Sequence, residues 1–135
     1  MCTRTYSTLR IFSDVVDPES ISKTLGFEPT DSFRTGDAHS VCKLTRKYNG
    51  WLLSTESSVD PNDTEGHIGS LLAKLHGKAE AVAALNAAGC QLDIFSFWTS
   101  DGQGGPSLTA EQMLILGKLG IPVSWDVYVD EQPAP

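Results

Sequence analysis

The densest run of residues that could do chemistry is 97–112, which reads FWTSDGQGGPSLTAEQ. A strand that runs into glycines and then into a helix start is how phosphate sites are built, because free N–H groups and the helix dipole attract anions. Trp98, Ser100, Asp101, Gly104, Gly105 and Ser107 would line such a site, with Arg34 and Trp51 as further walls. Neither established phosphate pattern is met, however. There is no Gly-Lys-Ser/Thr, the glycines at 102, 104 and 105 do not fit GxGxxG, and Pro106 lacks a donor. The same residues also make a sharp corner, with Asp101-Gly102 and Gly104-Gly105 supplying positive φ and Ser107 or Thr109 capping the next helix. The corner is the preferred reading, and a ligand site at 101–107 is the alternative.

Other chemistry has less support. His39 lies near Cys42 and Asp37, but no second Cys/His pair completes a tetrahedral metal set. His67 and His76 stand on opposite sides of an ideal helix, so they make no ligand pair. No metal and no cofactor is expected, and the histidines read as solvated or turn residues. No GxSxG elbow marks a nucleophile. The carboxylates Asp14, Asp17 and Glu19, and again Asp60, Asp63 and Glu65, fall at expected helix starts, where they stabilise the dipole. No catalytic residue is assigned, and the reading leans against an enzyme.

The elements that would position these residues follow from pattern. Residues 3–13 alternate as a strand, with Leu9 and Ile11 on one face and Arg10 and Phe12 on the other. A short helix follows, capped by Asp17, opened by Pro18 and stopped by Gly26. Residues 30–39 read as extended loop. Residues 40–48 and 50–57 read as two strands joined by an Asn49-Gly50 type I′ turn. Ile68, Leu71, Leu72 and Leu75 mark an amphipathic helix that Gly77 interrupts before a second piece ends at Gly89. Residues 90–98 form a strand. Thr109 and Gln112 have capping-box spacing for the last helix, and Val123, Trp125, Val127 and Val129 share a face of the last strand.

This order predicts an α+β fold, a mainly antiparallel sheet with helices on one face, with a ferredoxin-like core and an extra helix-strand unit. The 135 residues, 40% of them hydrophobic, fit a single domain spanning 1–135, with 130–135 as a frayed tail. One helix layer leaves the second sheet face open. That face would carry Tyr6, Phe12, Phe95, Phe97 and Tyr128, more aromatics than a solvated face holds. Either residues 27–38 fold over it, with Phe33 inside, or a partner or a second copy covers it. Arg34 is expected to reach Asp93 or Asp126 there, and Trp51 to be core.

The net charge of −7 disfavours nucleic acid and anionic membranes as partners. No apolar run approaches a membrane span, and no signal peptide is expected. Three cysteines without CxxC spacing read as reduced thiols, which predicts a cytoplasmic protein.

The motifs LRIFSD and DPESISKTLGFEPT, then RTGD at 34–37, GW at 50–51 and FWTSDGQGGPSL together resemble the bacterial family catalogued as domain of unknown function 4279. The resemblance spans nearly the whole chain and implies a small bacterial domain without an assigned activity or catalytic residue. The expected function is a non-enzymatic binding or interaction module. A dimer and an immunity-type role both fall within that expectation, with an unknown protein partner or self-association. The alternative is a small-molecule or anion binder, or an enzyme, at 101–107.

Overall fold

The computed structural model describes residues 2–39 and 41–130. Nine elements follow one another: β1 (Cys2–Ser13), α1 (Pro18–Leu25), β2 (Asp31–Phe33), β3 (Asn49–Ser54), α2 (Gly66–Leu75), α3 (Ala79–Ala87), β4 (Gln91–Ser100), α4 (Ala110–Leu119) and β5 (Val123–Val129). The tail expected to fray lies, from residue 131 on, outside the described residues.

The strands form one sheet in the order β2-β3-β1-β4-β5. The first three pairings are antiparallel, and β5 is added parallel to β4 after the crossover through α4. This is the expected α+β arrangement on a mainly antiparallel sheet. The central strand β1 alternates as its sequence requires. Leu9 and Ile11 are fully buried and join Trp51, Leu53, Leu92 and Ile94 from the neighbouring strands in one apolar cluster. Ile21, Leu25, Ile68, Leu71, Leu75, Val82 and Leu85 of the helices close that cluster from one side.

The helix ends are set locally. Asp17 Oδ1 accepts from Ser20 N at 2.8 Å, Pro18 opens α1, and Gly26 ends it at φ 86°. Thr109 and Gln112 complete a reciprocal capping box on α4. Asp63 Oδ1 accepts from Gly66 N, the first amide of α2, at 2.9 Å.

The hairpin expected around Asn49-Gly50 does not form. Asn49 and Gly50 begin β3 and pair with Ser13 and Phe12. The partner of β3 on its other side is the short β2, from the segment expected to be loop. Residues 34–39 and 41–48 lie in an irregular excursion between them, tied by Gly36 N to Arg46 O and Arg46 N to Asp37 O, both 2.8 Å. Both residues of the dipeptide serve tertiary purposes. The Asn49 carboxamide accepts from Thr35 N and donates to Val16 O. Gly50 faces both Phe12 and Phe33 across the strands, and a Cβ on it would stand 2.2 Å from the Phe33 ring. The missing side chain lets the Phe33 ring lie over β3 and approach Phe12 to 6.4 Å between centroids.

Gly50→Ala should therefore destabilise the fold by about 1–3 kcal/mol through overpacking. Most of that cost should vanish in the Gly50→Ala, Phe33→Ala double variant measured against Phe33→Ala alone. Urea melts of the four proteins give the coupling; additive single effects would show that the ring does not occupy the glycine's place.

Candidate interaction face

The residues of β1 and β4 that do not enter the core form a continuous row on the other face of the sheet. Among the described residues no helix packs on it. Tyr6 stacks on Phe97 at 5.1 Å between centroids, and Phe97 meets Tyr128 of β5 at 5.6 Å. At the other end of β1, Phe12 contacts Tyr48 at 5.2 Å, and Tyr48 contacts Phe33 at 6.2 Å. Tyr6, Phe12, Phe33, Phe95 and Phe97 are half-buried, and Tyr48 and Tyr128 are exposed. Phe33 from the 27–38 segment does reach Phe12. Its position is on the edge strand β2, beside the face, and the segment does not form a lid across it.

Arginines occupy the spaces between the rings. Arg10 lies over Phe95 at 4.7 Å and over Phe12 at 5.4 Å, and Arg46 over Phe33 at 3.8 Å. Arg4 spans Tyr6 and Phe97 and pairs with Glu56. Arg10 is directly opposite Asp93 in the β1–β4 register and grips it with Nε at 2.7 Å and Nη2 at 2.5 Å. These hydrogen bonds push the Arg10 guanidinium further up from its ordinary value, against the opposing effect of burial. The guanidinium that Asp93 receives is thus Arg10's. Arg34 is exposed, pairs with Glu19, and holds that carboxyl below the usual range. Two hollows flank Phe12. One of about 320 Å³ is lined by Ser13, Asp14, Tyr48 and Gln91, and another of about 250 Å³ by Gln91, Leu92, Asp93 and Pro122.

The other candidate residues separate. Trp51 is fully buried in the core, where Nε1 donates to Ser22 Oγ at 3.0 Å. Trp51 is paired with Ile11 and Trp98 with Thr5, so the two indoles lie six positions, roughly 20 Å, apart along β1. Arg34, Trp51 and the glycine-rich loop are not brought together. Around the loop, Ser100 is buried and turns onto Gly102, accepting from its N–H at 3.1 Å and donating to its carbonyl at 2.8 Å. Asp101, Gly104, Gly105 and Ser107 are exposed. Of the three glycines only Gly104, at φ 134°, takes positive φ; Gly102 and Gly105 do not. Thr109, not Ser107, caps α4. Beneath the loop Trp98 is 1% exposed, and its Nε1 finds no acceptor among the described residues.

A polar network on the helix side went unread in the sequence. Ser7 and Ser96 are fully buried and bonded Oγ to Oγ at 2.7 Å. Thr55 Oγ1 accepts from Ser7 N at 3.0 Å and meets His67 Nδ1 at 2.6 Å, while His67 Nε2 reaches Asp60 O at 2.8 Å. A carbonyl only accepts, so Nε2 donates to Asp60 O, while the Thr55 hydroxyl stands between His67 Nδ1 and the Ser7 carbonyl, to which it donates at 3.2 Å. His67 is 1% exposed, against the expectation of a solvated histidine. The signal was present: on both β1 and β4 the core face changes from Leu or Ile to Ser at the same level of the sheet.

The model of the family described as domain of unknown function (DUF4279) matches residues 3–130, and the chain belongs to that family. No curated protein and no solved structure matches it.

Three stability outcomes follow. Arg10→Lys should cost roughly 1 kcal/mol, because an ammonium cannot make the forked pair and the site is partly open to water. Gly104→Val should cost about 1–3 kcal/mol for strain at positive φ, and Gly105→Val, with open space at its Cβ, should be nearly silent. Trp98→Phe should be at least as stable as the parent, since it keeps most of the packing and removes a buried unpaired donor. Chemical denaturation measures all three; a Trp98→Phe protein weaker by more than ~2 kcal/mol would mean that the indole N–H has a partner.

Proposed function

We propose that this chain is a non-enzymatic interaction module of the bacterial cytosol that docks a protein partner on its open sheet face. The observation that carries the reading is the alternation of aromatic rings and arginines on a sheet face without a helix over it. Aromatics and arginine are the side chains enriched in protein interfaces and in their energetic centres. The rings are pre-positioned by stacking, Arg10 by Asp93 and Arg4 by Glu56, so little freedom of these side chains is lost on docking. The hollows beside Phe12 would receive side chains of the partner. The cytosolic setting is supported by free thiols at Cys2, Cys42 and Cys90, and no described helix is long and apolar enough to cross a membrane.

A second reading has one observation in its favour. The unpaired Trp98 Nε1 under the loop at 101–107 would suit a small molecule or anion offering an acceptor.

The test places a photo-crosslinking amino acid at Phe97, at Phe95 or, as control, at Glu80 on α3, in the native host. A discrete protein adduct from the two face positions, missing at Glu80, is the expected outcome. The reading fails if the face positions give no adduct beyond the control. A thermal-shift screen of metabolites and nucleotides run beside it addresses the second reading. A true ligand at a hundred times its dissociation constant stabilises by about 2.7 kcal/mol, and for a ligand at the loop Trp98→Phe should abolish the shift.

A further inference from the structure

The two edges of the sheet differ in how they end. At one side β2 has only three residues, and a strand that short offers little to an incoming chain. At the other side β5 runs seven residues in unbroken parallel register, from Ile94↔Val123 to Ser100↔Val129. The sequence VSWDVYV contains no lysine or proline, and the register shows no bulge. Val127, Tyr128 and Val129 are 47%, 51% and 56% exposed.

The outward backbone groups of this edge can be assigned. The Pro122 carbonyl accepts from Ile94 N, and Asp130 N donates to Ser100 O, so even-numbered residues turn their backbone groups toward β4. Val123, Trp125, Val127 and Val129 therefore present both N–H and C=O to the open side. Among the described residues no strand pairs with that side.

We infer that β5 is a homodimer edge, pairing antiparallel with β5 of a second copy about a two-fold axis at Val127. A second copy is the fitting occupant because the edge is complementary to itself in this register. Outward residues meet outward residues: Val127 opposes its own copy, and Trp125 opposes Val129 in both directions. Each pair exchanges two N–H···O bonds. On the core side the opposed side chains are all apolar. On the aromatic side Asp126 opposes Tyr128, a carboxylate against a phenol, as the two already meet within one chain at 3.1 Å. Moving the axis to Asp126 would set two carboxylates face to face, which like-charge repulsion disfavours. The single charge of the strand thus selects the register. The row Tyr6–Phe97–Tyr128 would then continue across the axis into the second copy.

This inference does not depend on the face-docking reading, since it rests on backbone groups and the other on ring faces. Each protomer carries a net charge of −7, so association should strengthen as salt screens the repulsion.

Sedimentation equilibrium of the full chain over roughly 1–200 μM tests it, an interface of this small size being expected near the weak end of the affinity range. Expected are a reversible monomer–dimer equilibrium that tightens between low and high salt, and a folded Val127→Pro protein that stays monomeric. Proline is tolerated at an edge position whose N–H points outward. In a Cys42→Ser background, Val127→Cys should crosslink under mild oxidant, because opposed residues on the axis stand about 5.5 Å apart at Cα, and Asp126→Cys should not. This crosslink needs no disruptive substitution and decides the matter if Val127→Pro fails to fold. A parent that is monomeric throughout overturns the inference. So does a dimer that survives in folded Val127→Pro, or one that crosslinks at 126 and not at 127. A dimer lost in folded Phe95→Asp but kept in Val127→Pro would instead place the second copy on the aromatic face.

Discussion

The structure depends on the alternation of β1. As the central strand it is paired on both sides, and its successive side chains must satisfy two unlike environments at once. Leu9 and Ile11 meet the helices, while Arg10 and Phe12 meet no helix. A one-residue slip against either neighbour would exchange the two sets, burying a guanidinium and exposing two fully buried aliphatics. The Arg10–Asp93 fork and the Ser7–Ser96 hydroxyl pair both lie in the observed register, one on each face. They hold the same pairing from opposite sides. The specificity of the sheet therefore rests on polar contacts as well as on the apolar cluster.

The two faces solve the problem of a single helix layer differently. On the covered face the apolar cluster occupies one end, and near the other end Thr5, Ser7, Ser96 and Ser100 replace aliphatics. Buried hydroxyls there are bonded to one another, to the backbone and, through Thr55, to His67. On the open face the rings lie against one another and the arginine guanidinium groups lie over the rings. A guanidinium flat on an aromatic face keeps its charge near water while covering carbon. That arrangement lowers the apolar area presented to solvent yet leaves a surface with the chemistry of an interface.

The glycines show how local conformational signals can be put to other uses. Gly26, Gly77 and Gly120 stand at positive φ at or just beyond helix ends, where a left-handed residue releases the chain. Gly50 has no such backbone role, and its value is the space above it that Phe33 fills. In the loop after β4 one glycine of three carries the turn, and Ser100 stitches the corner through both backbone groups of Gly102. Beneath that loop the Trp98 indole N–H finds no acceptor among the described residues.

What the sequence determined by itself is what a few neighbouring residues decide. The two faces of β1, the caps of α1, the capping box of α4, the break at Gly77 and the aromatic side of the sheet all follow from contacts within a few positions or from periodicity alone. Family membership was legible in the same short motifs. Tertiary structure alone decided what depends on register between distant segments. Arg10 and Asp93 are 83 residues apart, so their fork could not be distinguished from a pairing with Arg34 until β1 and β4 were aligned. Asn49-Gly50 carries a strong local turn preference, yet the pairing of β3 with β1 and the Phe33 ring outweigh it, because a strand satisfied on both sides gains more hydrogen bonds than one tight turn. His67 reads as solvated because its helix pattern is indifferent to it. Only the loop that brings Asp60 and Thr55 to its two nitrogens makes burial affordable, since a polar ring is stable in the interior only when both ends are bonded.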